Sequence, residues 1–198
     1  EIHERLVGSE MCIRDRCEVC QQLMQQEGYQ KVDELQNRFV KIMTNYVKGK
    51  GKKVMGWDDA FLEKDPQDLI YTYWRDWLPD QPGKITQKGY PIVFMEWSRF
   101  YLSATPSDEG LSSLYNFEFE PQFPSIVKQN VLGFQACVWT EMIPNERKFG
   151  QHVFPSLQAF SELAWGSDRN WIDFTNRLKW HVKWLNANGF YFTKPGFL

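Results

Sequence analysis

From Val32 the apolar residues recur at three- and four-residue spacing: Val32, Leu35, Phe39, Met43, Tyr46 and Val47. That period predicts an amphipathic helix, with Asp33 able to serve as its N-cap and Gly49 and Gly51 closing it. The pattern then changes to short apolar runs. Residues 53–57 form the first, ending at Asp58-Asp59; residues 69–74 form the second, between Asp65-Pro66 and Pro79. Residues 91–95 form the third and residues 131–139 the fourth, which ends at Thr140-Glu141. Runs this short, bounded by turn formers, read as buried strands. The last third returns to the helical period, over residues 156–165 and 168–186. Trp171, Phe174, Leu178, Val182 and Leu185 share one face there, with Gly189 as the stop. Between residues 83 and 130 the helical signal is poor, and long loops are expected in place of a regular helix.

Buried strands alternating with helices predict parallel β-α units and hence the α/β class. Residues capable of chemistry stand at the strand ends: Trp57-Asp58, Trp74-Arg75 and Trp139-Thr140-Glu141. In a (β/α)8 barrel the carboxyl ends of the strands carry the active site, so this placement is coherent. A barrel needs eight strands and the pattern supplies about four, which predicts half a barrel.

Charge narrows the partners. Lys and Arg number 23 against 25 Asp and Glu, a net charge of −2, so nothing attracts a polyanion and no nucleic-acid partner is expected. No apolar run approaches the length of a membrane span. The unusual feature is aromatic content: 9 Trp, 8 Tyr and 15 Phe in 198 residues. Flat rings can be ordinary core, and they also stack on the apolar faces of pyranose sugars.

Several chemistries lack their signatures. Neither Gly-x-Ser-x-Gly nor a phosphate-cradling glycine loop occurs, which removes the hydrolase-triad and Rossmann readings. His152 and His181 fall in the helical final third, away from the strand ends, and His3 lies near the start. Cys17-Glu-Val-Cys20 is a CxxC, but a structural zinc site usually needs a second pair, and the remaining cysteines are Cys12 and Cys137. No metal and no cofactor is expected; a disulfide is the alternative if the protein is exported. Leu6-Val-Gly-Ser-Glu-Met-Cys-Ile-Arg-Asp-Arg16 resembles the in-frame translation of a transposon sequencing adapter. Residues 1–16 are therefore expected to be non-native and residues 17–198 to form a partial catalytic barrel domain.

Lys50-Gly-Lys-Lys-Val-Met-Gly-Trp57-Asp58, Tyr73-Trp74-Arg75, Phe100-Tyr101-Leu102 and Leu132-Gly-Phe-Gln-Ala-Cys-Val-Trp139-Thr-Glu141 follow one another in this order. Phe154-Pro155 and Ala159-Phe-Ser-Glu162-Leu-Ala-Trp165 come after them. From about Cys17 to Tyr191 the series resembles glycoside hydrolase family 20, the β-N-acetylhexosaminidases. The resemblance is to the C-terminal half of the catalytic domain, about strands 5–8 of the TIM barrel with their helices. It implies that Trp57, Trp74 and Trp139 wall the pocket for a terminal N-acetylhexosamine. Tyr101 would bond the acetamido carbonyl oxygen, and Asp58 and Glu141 would contact the sugar. It also implies substrate-assisted retention: the acetamido oxygen attacks the anomeric carbon, so no enzyme carboxylate is the nucleophile. The partner implied is an N-acetylhexosamine-terminated glycan or a chitooligosaccharide, and the placement implied is exported or lysosomal.

The chain departs from the family pattern in three places. The family's catalytic Asp-Glu pair, within His-x-Gly-Gly-Asp-Glu, does not occur; it is expected just upstream of Cys17 in the parent, and the 198-residue chain alone is expected to be inactive. Ser103 stands where the family commonly has an Asp, and Ser156 where an Arg often follows Phe-Pro. Two rival readings stay open. One is a different barrel glycosidase using a carboxylate pair such as Asp58 with Glu141. The other is a carbohydrate-binding descendant without catalysis.

Overall fold

The computed structural model describes residues 16–118, 123–166 and 168–198. Residues 1–15, and with them His3, Cys12 and nearly all of the segment expected to be non-native, lie outside the described residues. Four strands, β1 (Met55–Trp57), β2 (Ile70–Tyr73), β3 (Ile92–Phe94) and β4 (Val131–Phe134), form one sheet in the order β1-β2-β3-β4. Every neighbouring pair is parallel. Trp57 is in register with Thr72, and Tyr73 with Phe94, so the carboxyl ends of β1, β2 and β3 stop close to one level.

The run expected as a strand over residues 131–139 is broken early. Ile92 pairs with Val131 but Val93 with Gly133, which leaves Leu132 as an extra residue, and Gly133 adopts φ 153°. A side chain is poorly tolerated in that region, so glycine allows the bulge that re-aims the chain. Pairing then resumes locally: Gln135 N–H donates to Phe94 O at 2.8 Å, and Tyr101 bridges Cys137 in parallel.

Helices cover the sheet: α1 (Glu18–Glu27), α2 (Val32–Gly49), α3 (Gln81–Gln87), α4 (Trp97–Phe100), α5 (Asp108–Tyr115), α6 (Ser125–Asn130), α7 (Glu146–Val153), α8 (Ser156–Trp165) and α9 (Trp171–Ala187). The long loops expected between residues 83 and 130 are a correction: that stretch holds most of α3 and all of α4, α5 and α6. Each has eight residues or fewer, about two turns, which leaves little room for a 3.6-residue period to show. Helix α1 was not expected either. Its apolar set, Val19, Cys20, Leu23 and Met24, is sparse among glutamines and acids, and none of it is buried.

Helix α2 corrects two further details. Its N-terminus is closed by Glu34, whose carboxylate accepts from Gln30 N–H at 2.7 Å and Lys31 N–H at 2.8 Å, and Lys31 rather than Asp33 occupies the N-cap. The covered positions are Leu35, Asn37, Val40, Thr44 and Val47, so Leu35 and Val47 of the expected stripe turn inward while Phe39, Met43 and Tyr46 are exposed. The inward face is mixed, and its polar members bond the loop before β2: Asn37 Nδ2 donates to Asp65 Oδ2 at 2.9 Å and Gln36 Nε2 to Asp59 O at 3.4 Å.

The core lies between the sheet and α3, α5, α6, α8 and α9. Tyr71, Tyr73, Ile92 and Phe94 alternate along β2 and β3 toward it, with Phe100, Tyr115 and Leu178 among the fully enclosed residues facing them. The central strands are buried while the outer strands expose Met55, Trp57 and Leu132. One polar cluster locks α9 to α5 and α8. Tyr115 Oη donates to Glu162 Oε2 at 3.1 Å and accepts from Asn170 N–H at 2.9 Å, and the Arg169 guanidinium donates to the carbonyls of Tyr115 and Phe117.

The segment after α9 returns to α7. Thr193 donates its N–H to Phe154 O at 3.0 Å and its hydroxyl to Gln151 O at 2.8 Å. A Cβ at Gly150 would stand 2.4 Å from Tyr191 O, so only glycine admits this approach. Gly150→Ala is therefore expected to lift residues 190–195 off α7 at a cost of about 1–3 kcal/mol. Limited proteolysis should cut the variant within that segment well before the parent; equal cleavage rates would refute the packing.

Candidate functional site

The strand ends bring four aromatic side chains into one closed ring. Trp57 ends β1, Trp74 follows β2, Tyr101 follows α4, and Trp139 precedes the 3-10 turn Thr140–Met142. Trp57 meets Trp74 edge-on, with centroids 6.3 Å apart and planes at 80°. Trp74 lies nearly parallel to Tyr101 at 6.5 Å and 19°. Tyr101 and Trp139 stand 6.0 Å apart, and Trp139 closes the ring on Trp57 at 6.1 Å. All four are only partly covered, so the box opens at the carboxyl edge of the sheet.

Three of the walls have fastenings of their own. The Trp74 indole N–H donates to Asp59 Oδ2 at 2.5 Å. Tyr101 is fixed through its backbone, because Cys137 N–H donates to Phe100 O at 3.0 Å and Leu102 N–H to Cys137 O at 2.7 Å. Trp139 N–H donates to Ser103 Oγ at 3.2 Å. Ser103, which departs from the family pattern, thus aligns the backbone of a box wall.

Asp58 sits behind the box and not in it. It has no exposed surface. Its carboxylate accepts from Arg75 Nε at 3.1 Å and, more weakly, from Trp74 N–H at 3.4 Å, while Arg75 Nη2 and Gln81 Nε2 donate to its main-chain oxygen. Burial pushes its carboxyl up to about 6; Arg75 opposes this and Asp59 adds to it. The Tyr101 phenol is also pushed well above the usual tyrosine range. Burial is the main cause, Cys137, Asp59 and Asp58 add to it, and a hydrogen bond with Trp139 opposes it. At neutral pH it is a hydrogen-bond donor.

Glu141 stands apart, exposed in the turn Thr140–Met142, and makes no hydrogen bond or ion pair with another described residue. The structure therefore brings together Trp57, Trp74, Tyr101 and Trp139, sets Asp58 beneath them and leaves Glu141 at the rim.

Sequence reasoning missed Glu96. It follows β3, is almost fully buried and pairs with Arg99, whose guanidinium lies 4.5 Å from the Phe117 ring centroid. Burial raises its pKa, with Arg99 opposing and Asp76 adding. An acidic residue closing an apolar run, with an Arg three positions on, was the available signal.

The other candidates lie elsewhere. His152 is buried in α7 and His181 lies on α9 beside Trp184. Cys17 and Cys20 hydrogen-bond each other as thiols at the start of α1, and Cys137 is a thiol pushed up to about 11 by burial. Among the described residues no group of three or more His, Cys, Asp or Glu gathers as a metal site, and no helix is long and apolar enough to cross a membrane.

The model for the glycosyl hydrolase family 20 catalytic domain matches residues 11–168. A β-N-acetylhexosaminidase of Cellulomonas fimi is 27% identical over 167 residues, which cover 77% of this chain and 34% of that protein. An exo-β-N-acetylglucosaminidase of Vibrio harveyi, solved in complex with N-acetylglucosamine, superposes with a TM-score of 0.77 at 26% identity. That match covers 92% of this chain and 31% of the other. A β-N-acetylhexosaminidase of Bacteroides fragilis shares the fold, with a TM-score of 0.73 at 22% identity, covering 92% of this chain and 40% of that one. The four parallel strands match a portion of the (β/α)8 barrel of such structures. The chain spans about a quarter to a third of the length of the curated relatives it matches. Because the family model runs through all four strands and every wall of the box, the chain belongs to glycosyl hydrolase family 20.

Proposed function

We propose that this chain is the C-terminal half of a β-N-acetylhexosaminidase catalytic barrel and that its box holds a terminal, non-reducing N-acetylhexosamine of a glycan or chitin oligomer. The observation that carries the reading is the closed ring of Trp57, Trp74, Tyr101 and Trp139, whose one phenol is kept protonated by burial. In substrate-assisted retention the nucleophile is the substrate's own acetamido oxygen, so the protein must position the arm rather than attack. Three indoles confine the methyl group and the sugar's apolar face, and the Tyr101 hydroxyl donates to the acetamido oxygen. That bond helps hold the oxygen under the anomeric carbon as the oxazoline forms. Glu141, exposed and unengaged by described residues, is available to grip outer hydroxyls. Asp58 acts indirectly: it holds Arg75 and the Trp74 backbone, and through them the wall.

The alternative of a carboxylate pair made by Asp58 with Glu141 requires an Asp58 that a sugar can reach, and Asp58 has no exposed surface. Nor does the sequence contain His-x-Gly-Gly-Asp-Glu, so no residue here is assigned as general acid.

Three outcomes test this reading. Calorimetry should find binding of N-acetylglucosamine and none of glucose, which lacks the acetamido arm; Tyr101→Phe should weaken it about 5- to 10-fold, the worth of one hydrogen bond. Equal binding of both sugars would refute the box. Aryl N-acetylglucosaminides should not be hydrolysed by the 198-residue chain, and hydrolysis should appear when a segment bearing the Asp-Glu pair completes the barrel.

The third is a pH dependence. Asp58 is pushed up to about 6 in the fold, against an ordinary aspartate near 3.9 in the unfolded chain. The folded state therefore binds this proton more tightly. Its stabilising contribution is complete below about pH 4 and is lost as pH rises through about 6, roughly 3 kcal/mol in all. Urea unfolding of Asp58→Asn beside the parent should remove that fall between about pH 4 and 6.

A further inference from the structure

The CxxC at the start of α1 has no part in the box, and its geometry suits a different chemistry. Cys17 is the N-cap of the helix, with φ −80° and ψ 118°, and Cys20 is its third residue. Positions spaced this way across a first turn stand about 5 Å apart at Cα, inside the roughly 4.4–6.8 Å that a disulfide spans. Both are partly exposed thiols that hydrogen-bond each other. The N–H and thiol of Cys20 face the Cys17 sulfur and draw its pKa below the ordinary thiol range; Val19 N–H adds to this, while partial desolvation and the Glu18 carboxylate oppose it. Cys137 is the contrast, a thiol beside Met95 that burial pushes up to about 11. Closing the Cys17–Cys20 pair disturbs no core contact, because α1 buries no residue. The helix is held at its other end, where Tyr29 N–H donates to Met24 O at 2.9 Å and Glu27 pairs with Arg38 of α2 at 3.6 Å.

We propose that Cys17 and Cys20 are a thiol–disulfide exchange site, with Cys17 the attacking thiol, Cys20 the resolving one and a small-molecule disulfide of the glutathione type as co-substrate. The Cys17 thiolate attacks one sulfur of R–S–S–R, forming Cys17–S–S–R and releasing RS⁻, which takes up the proton that Cys17 lost. Cys20 then gives up its proton and attacks the Cys17 sulfur. The Cys17–Cys20 bond forms, the bond to R breaks and the second RSH leaves. Two thiols of the chain are oxidised and one external disulfide is reduced to two thiols. The roles follow from position: the N-cap sulfur faces main-chain N–H groups that favour its thiolate, and Cys20 stands one turn on, within reach of it. The closed bridge pins the first turn of α1, which no core contact holds. Among the described residues no further His, Cys, Asp or Glu joins the pair as a metal-binding group. The inference is independent of what the aromatic box holds.

Mass spectrometry after exposure of the full chain to oxidised glutathione tests it. Trypsin releases residues 17–31 as one peptide that holds both cysteines of the pair and no other, so Cys12 and Cys137 do not confuse the reading. After quenching with iodoacetamide, that peptide should carry an internal disulfide and no alkyl group, while Cys137 is alkylated; dithiothreitol should restore two alkylatable thiols. Without oxidant, brief iodoacetamide treatment should modify Cys17 at least about tenfold faster than Cys137. Cys20→Ser should trap glutathione on Cys17 as a mixed disulfide. Cys17→Ser keeps a favourable N-cap and should leave Cys20 open to alkylation, with little glutathione taken up. Two alkyl groups on the peptide at every glutathione concentration overturn the proposal. So does a bridge that links two chains, or glutathione that stays on the parent without internal closure. Uptake by Cys17→Ser as fast as by Cys20→Ser overturns the assignment of Cys17 as the attacking thiol.

Discussion

A carboxylate without exposed surface is expensive to keep, and Asp58 is enclosed at the point where β1 turns away from the sheet. Arg75, from the end of β2, compensates it with Nε on the carboxylate and Nη2 on the main-chain oxygen. The same guanidinium stands 3.7 Å from Asp59, whose carboxylate holds the Trp74 indole. One arginine thus braces the ends of two parallel strands and, through Asp59, the orientation of one wall of the box. Breaking such a pair from one side leaves an uncompensated buried charge, which is why the arrangement resists partial change. The other walls depend on register: a one-residue slip of β1 against β2 would turn Trp57 to the opposite face of the sheet.

The legible part of this architecture was the part written in local pattern. The four apolar runs, the helices over residues 156–165 and 168–186 and the aromatic strand ends follow from period and punctuation, and α8 spans Ser156–Trp165 as expected. What stayed hidden has physical reasons. Helix α1 has only a sparse apolar set, Val19, Cys20, Leu23 and Met24, none of it buried, and α3 to α6 are eight residues or fewer, which leaves little room for a period to show. Helix α2 turns a mixed face inward, and nothing in its own sequence says that Asn37 and Thr44 are buried while Phe39 and Tyr46 are exposed. Composition could nominate Asp58 but could not reveal that it lies beneath the box, because burial at a strand end depends on a partner such as Arg75 seventeen residues away. The closing of four rings into one box is likewise a property of register and of the Gly133 bulge, neither of which is local.

Ser103 illustrates how a departure from a family pattern can be read. Taken alone, a serine where an aspartate is common suggests a lost contact to sugar. In the fold its hydroxyl accepts from the Trp139 main-chain N–H, so the position has a structural partner in a wall of the box.

On the proposed reading, the division of labour follows from the chemistry. When the nucleophile belongs to the substrate, the gain comes from confining a small flexible arm, and rigid rings do so with little conformational freedom to lose. Reactive groups would be a liability at such a wall, since an ionised carboxylate inside the ring would compete for the position that the acetamido oxygen must hold. The structure keeps its carboxylates out of the box: Asp58 is buried behind Arg75, Asp59 is bound to the Trp74 indole, and Glu96 is paired with Arg99. The one polar side-chain tip belonging to the ring with both a donor and an acceptor is the Tyr101 hydroxyl, and burial holds it in the protonated form. On that reading, a site built this way selects for the acetamido group by shape and one hydrogen bond.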